Sequence, residues 1–345
     1  MDGDTRGPGS RVMDGMGRPP RRLFALGAGA AALAVLVDRG LRLDVPPPPP
    51  PVPTRRPAPN EALLLHAVAD LSRVVAAETS VLAGEAGGAL VRQLRTVSRE
   101  QLRVLRGRLT NAGVPTAVIA AAVARGPSAS PSAAPTAAPT GTPTPGSTAS
   151  PTTSGTPEAG APVRTRAELA ALLDSLDRDD WAELAAATAG TRDLLAAVWS
   201  ERLAGAVLLG REVVLASPST ARPAVVARTQ PLVYAFEVVA AQSVGDQRQQ
   251  AEDTLEALVR LEIAVSGTSS TTPAGWALPH PVTSPDAARR LATETLSSAL
   301  DASTELMGTR PDAATLEDVA RWSAHLQALA VDWRVPLTAF PGASA

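Results

Sequence analysis

Glu237, Glu256, Glu294 and His325 are the residues whose types and placing could assemble a metal centre. They fall one each on four helical segments in the last third of the chain. Carboxylates and imidazoles brought together from four facing helices make a carboxylate-bridged di-metal site, the chemistry of an oxidoreductase or an iron-handling protein. The full set needs four carboxylates and two histidines, delivered partly by Glu-x-x-His. That motif occurs nowhere in the 345 residues, and the other two histidines, His66 and His280, fall in a first helix and in a connector. His325 therefore reads as a packed or surface histidine, and the expectation is no metal, no cofactor and no catalytic residue. The chain has no cysteine, which excludes disulfides, thiolate metal sites and Cys nucleophiles. Neither a nucleophile elbow nor a Gly-rich phosphate loop is present. Glu252 and Glu256, four apart, mark a solvated helix face.

Arg92, Arg95, Arg99, Arg103 and Arg106 are the second group with a pattern, stepping by three and four along one helix, with Glu100 diluting the charge. Most such rows are solvated faces paired with acids elsewhere. The sharper reading is contact with anionic lipid headgroups, or with a partner, each arginine contributing up to about 1 kcal/mol near a membrane surface. A net charge of −2 points away from nucleic acid, which asks for a basic domain.

What must position these residues is helical. Hydrophobic residues make up 45% of the chain but aromatics only 3%, so the core is built from Leu, Val and Ala, which suits close helix packing. From Asn60, a candidate cap, Leu63, Leu64, Ala67, Val68, Leu71, Val74 and Val75 recur at helical spacing. A second helix carries Leu90 to Leu109 and stops at Asn111-Ala-Gly113. Thr165 and Glu168 form a capping box for a third helix, with Asp177 to Asp180 as an interruption. Gly190-Thr191 separates it from a fourth helix that ends at Ser217-Pro218. The fifth, Arg222 to Val244, contains Pro231, which predicts a kink or restart. Gly245-Asp246 turns into a sixth, a connector runs over Gly267 to Pro281, and Ser284-Pro285-Asp286 starts a seventh. The eighth runs from about Asp312 to Trp333. Trp276, Trp322 and Trp333 are expected to anchor the core, with Trp276 pinning the connector.

Each half thus repeats one plan: a tight helical hairpin, a long connection, a second hairpin. That is the connectivity of a four-helix bundle with one crossover. The connector of the second half, about 16 residues, can extend some 50 Å, enough to run along such a bundle. Residues 60–217 form the first helical region, interrupted at 126–162 by a tract of Pro, Ala, Ser and Thr too poor in apolar residues to order. Residues 220–342 form the second, expected to fold alone. The fold class expected is all-α, as two four-helix bundles or one extended helical array.

At the amino end, Arg21, Arg22 and Phe24 precede a mild apolar run to Val37. This resembles a twin-arginine export signal, so residues 1–44 are taken as signal or anchor. Its 15 or so apolar residues fall short of the roughly 20 that a spanning helix needs. Residues 45–59, with Pro46 to Pro51 unbroken, are a stiff spacer. Val233-Tyr-Ala-Phe-Glu-Val-Val239, Trp276-Ala-Leu-Pro-His-Pro-Val-Thr-Ser-Pro285 and the ending Phe340-Pro-Gly342 together resemble the actinobacterial ferritin-like domain of unknown function, often found behind such a signal. The resemblance covers about Val225 to Gly342. It implies a ferritin-like bundle and little about activity. Thr229-Gln230 stand where that family usually carries an acid and a histidine. The expectation is an exported, envelope-facing module, membrane-anchored or secreted, that binds a protein or envelope partner or scaffolds at the membrane without being an enzyme.

Overall fold

The computed structural model describes residues 55–84, 88–126, 163–215, 219–266, 275–307 and 310–342. The export residues Arg21, Arg22 and Phe24, the proline run, most of the 126–162 tract and the first part of the connector lie outside them. All elements below belong to the compact unit Pro57–Ala345. The described residues are all-helical, with α1 Glu61–Ala83, α2 Ala89–Asn111, α3 Thr116–Arg125, α4 Arg166–Leu173, α5 Arg178–Ala186 and α6 Ala189–Leu208. There follow α7 Arg222–Gln242, α8 Gly245–Ser266, α9 Pro285–Asp301, α10 Ser303–Met307 and α11 Ala313–Asp332. No described helix is long and apolar enough to cross a membrane.

Local chemistry sets four of the described helix starts. Thr165 and Glu168 do form a capping box, and a second one, Asp177 with Asp180, restarts the chain as α5. The interruption at Asp177 is therefore a true break between two helices. Ser284 accepts from the Ala287 amide and Asp312 from the Thr315 amide, each cap being worth about 1 kcal/mol. Asn60 departs from expectation. Its backbone is left-handed, φ 57°, and its side chain caps nothing but donates to Thr188 Oγ1 at 2.7 Å. Gly190-Thr191 does not separate helices, because α6 starts at Ala189. Pro231 neither ends nor restarts α7, which continues through it. The short α3 is an addition to the helices that the sequence pattern predicts. It buries Ile119 and Ala122 against α1.

Hydrogen bonds at the helix ends give the directions. In the second half Arg222, opening α7, donates to the Ala264 and Val265 carbonyls that close α8, and pairs with Asp318 near the start of α11. At the opposite end Gln247 of α8 donates to the Pro285 carbonyl of α9, and Gln250 to the Asp332 carbonyl of α11. So α7 and α11 rise together while α8 and α9 descend together. The chain between Ser266 and Pro285 must therefore travel the helix length. The part of it that is described does so against α7, where the Trp276 ring sits 5.7 Å from that of Tyr234. In the first half Asn60 and Thr188 bring the starts of α1 and α6 together, and Arg108 at the end of α2 reaches Thr191 at the start of α6. There α1 and α6 are parallel and α2 opposes both.

The two halves on either side of residue 220 pack on each other. The last long helix of each, α6 and α11, pack side by side, and one buried cluster runs from Leu63 to Trp333. Ser200 of α6 donates to the Ala320 carbonyl and accepts from Gln327 Nε2 at 2.8 Å.

Candidate functional site

The four residues of the metal alternative do not converge. Glu237 is exposed on α7. Glu256 is exposed on α8 and pairs with Arg260 one turn on. Glu294 faces outward from α9, with His280 of the connector 3.2 Å away. His325 points to neither, because its Nε2 lies 2.7 Å from the Val213 carbonyl in the segment after α6. Burial pushes its imidazole below the ordinary range although that carbonyl opposes the shift, so it is neutral at pH 7 and donates through Nε2. Among the described residues no group of three or more metal-type ligands occurs. Where the resemblance places an acid, buried Thr229 donates to the Val225 carbonyl and accepts from Trp322 Nε1 at 2.9 Å. Trp333 makes the equivalent bond to Thr254, and its ring meets Phe236 edge-on. Two indoles and two threonines thus occupy the interior of the second half. Trp322 and Trp333 are the anchors the sequence suggests, and Trp276 is half-buried on the connector.

The first half buries two glutamates that pattern reading misses. Glu78 of α1 and Glu201 of α6 are 0% and 2% exposed. Ser98 of α2 donates to Glu78 Oε1 at 2.8 Å, and Gln101 of α2 donates to Glu201 Oε2 at 3.1 Å. The other oxygen of each carboxyl is buried with no hydrogen-bond partner, as is Gln101 Oε1. Desolvation dominates both acids and raises Glu78 to about 7, against the pull of Ser98, Arg95 and Arg99. Glu201 is raised to about 8, by burial first and then by the neighbouring charge of Glu78. With Glu78 raised by burial and Glu201 by burial and by Glu78, the two together still hold at least one proton at neutral pH.

Beside it Arg202 is 2% exposed and bridges Asp70 of α1 to the Leu172 carbonyl of α4. Arg73 reaches the other Asp70 oxygen at 2.5 Å. Burial alone would raise the Asp70 carboxyl, yet Arg202 and Arg73 outweigh it and hold that acid below the usual range. One buried acid is thus ionised and paired, while two others nearby stay largely neutral. The signal for Glu78 was its position. It falls on the α1 stripe between Val74 and Val81, where a charge cannot face water.

The arginine row divides. Arg92, Arg99, Arg103 and Arg106 are exposed and Arg95 is half-buried. Arg103 pairs with Glu100, Arg106 reaches Ser72 at 3.3 Å, and Arg95 and Arg99 act on Glu78 from the same helix. Glu252 is exposed and bonded to Arg248, as its spacing implies. His66 is exposed, 4.0 Å from Asp180. Along the end of α2 an open groove of about 1280 Å³ runs between Arg103, Arg108 and Leu194 on one side and Thr338 to Phe340 on the other.

Comparison with protein-family models, with curated proteins and with solved structures gives no match.

Proposed function

We propose that this chain is an exported, envelope-facing helical module of ferritin-like connectivity that binds an anionic membrane surface and is not an enzyme. The observation that carries the reading is the exposed face of α2, where Arg92, Arg99, Arg103 and Arg106 stand along one side of a 23-residue helix. Glu100 alone among its neighbours on that face answers them with an ion pair, to Arg103. A row of guanidinium groups on a rigid helix attracts anionic headgroups within a Debye length, at about 1 kcal/mol per group. The parallel α8 and α9, which require a full-length crossover, support the ferritin-like connectivity of residues 220–342. The Trp322–Thr229 and Trp333–Thr254 pairs support the absence of a metal centre there, since that volume is already filled. The twin arginines at Arg21 and Arg22 with Phe24 support the cell address.

Co-sedimentation with vesicles tests this. The full chain should pellet with phosphatidylglycerol-rich vesicles at low salt and remain in solution with phosphatidylcholine alone. Reversal of Arg92, Arg99 and Arg106 to Glu should lower the partition by at least about 100-fold, since losing three attractions of about 1 kcal/mol each already gives that factor before the new charges repel the surface. Equal pelleting by the reversed variant, or by neutral vesicles, refutes the reading.

A further inference from the structure

The segment 335–342, after α11, is a strap fixed at both ends. It begins at Arg334, left-handed at φ 64°, and ends at Gly342, φ 69°, which sits so close to the α9–α10 turn that a Cβ there would meet Ser303 Oγ at 2.8 Å and the Leu300 carbonyl at 3.0 Å. Between these ends it crosses α2. Leu337 packs on Leu94 and Val97, and the Ala339 carbonyl accepts from Gln101 Nε2 at 2.8 Å. That same Gln101 nitrogen donates to Glu201. One amide group therefore ties the strap to the buried acid pair. Open space flanks the strap on both sides, about 1280 Å³ toward α2 and α6 and about 160 Å³ toward α9 and α11.

We propose that the strap is a pH-released cover over the Glu78–Glu201 pair, closed while the pair keeps its protons and loosened when both carboxyls ionise. The inference stands apart from the lipid reading, and its test uses no ligand. Two ionised carboxylates held one helical turn apart along α2, by Ser98 and Gln101, repel in a dry interior and must recruit water. Arg95 and Arg99 of α2 and Arg202 of α6 moderate that charge, but Arg202 is already committed to Asp70 of α1 and the Leu172 carbonyl of α4. From α11 the neighbours of this stretch of α6 are Gln327 and the Ala320 carbonyl, both at Ser200. The strap itself, Val-Pro-Leu-Thr-Ala-Phe-Pro-Gly, brings no charge that could hold it down. Water entering beneath Ala339 reaches Gln101 and then Glu201, and the two voids give the strap room to move.

Because the chain has no cysteine, Thr338→Cys places a single nitroxide label on an exposed strap position. Its electron paramagnetic resonance spectrum is followed from pH 5.5 to 9.5 together with far-ultraviolet circular dichroism. Expected is a rise in label mobility with a midpoint between about 7 and 8 at constant helix content. In the Glu78→Gln/Glu201→Gln variant, whose amides mimic protonated acids, the label should stay immobile throughout. Gln101→Ala, which cuts the tie and leaves both acids, should be mobile already at pH 6. A wild-type label that does not respond to pH, an unchanged response in the double Gln variant, a Gln101→Ala label as fixed as wild type at pH 6, or helix loss in step with the mobility each overturns the proposal.

Discussion

Glu78 and Glu201 carry a pH dependence whose sign follows from their environment. Each is held neutral in the fold at a pH where the unfolded chain has already ionised it. Their folded-state values lie near 7 and 8 against an ordinary glutamate near 4.5. Raised carboxyl values mean that stability is greatest below the unfolded value, falls as pH rises through 5 to 8, and then levels off. Asp70 acts in the opposite sense. Its depressed value stabilises above the ordinary aspartate range and is lost as acid protonates it. Urea unfolding of the wild type at pH 5, 7 and 9 should show several kcal/mol lost between the extremes, since a tenfold difference in proton affinity between folded and unfolded chain is worth about 1.4 kcal/mol. Glu201→Gln should flatten the curve and gain roughly 3 kcal/mol at pH 9, with little change at pH 5. Equal slopes in the two proteins would show that Glu201 is not a source of the dependence.

Among the elements, α6 carries a close three-helix crossing at a glycine. It meets α2 and α4 at Gly205, where an added Cβ would come within 3.1 Å of Leu94 Cδ2 and of Leu173 Cδ1. Gly205→Val should therefore push three helices apart and cost about 1–3 kcal/mol, read as a lower urea midpoint with an unchanged slope. A variant as stable as wild type would mean that the leucines simply rotate aside. Most elements were legible because apolar residues at three and four spacing pick out the buried faces of α1, α2, α7, α8, α9 and α11. The caps of α9 and α11 are short-range chemistry written in adjacent residues. The short α3 was not legible, since ten residues with two buried positions give too little periodicity to separate from a loop. Pro231 does not restart the helix, because its missing N–H and fixed φ are a local penalty, which burial of Leu232, Val233 and Phe236 offsets.

For the molecule as a whole, the packing of α6 on α11 joins what the sequence divides at residue 220. A repeated plan is visible in a sequence, but which surface of one repeat covers the other is not. The side chains that bond across that contact, Ser200 and Gln327, are polar and carry no apolar signature. A fragment from Thr220 to Ala345 keeps α7 to α11 yet leaves that face of α11 uncovered. It should melt at least several degrees below the full chain by circular dichroism. An equal melting temperature would restore the independent second half. The same limit hid the polar centre. Glu78, Gln101 and Glu201 lie on α1, α2 and α6, spread over more than a hundred residues of chain, and only the tertiary fold makes them one cluster. The sought-for ligands of the second half were legible as residue types and misleading as a site, for its three acids turn outward and His325 bonds elsewhere.

The most direct measurement is a carbon-13 titration of the glutamate side-chain carboxyls by nuclear magnetic resonance, with Glu78→Gln and Glu201→Gln providing the assignments. If the interior of the first half is a proton-holding acid pair, two carboxyls should remain protonated well past the ordinary range, with apparent midpoints near 7 and 8. If instead every glutamate titrates below about 5.5, the usual range for accessible carboxyls, the pair is ionised at neutral pH and its role as a neutral, buried centre is contradicted.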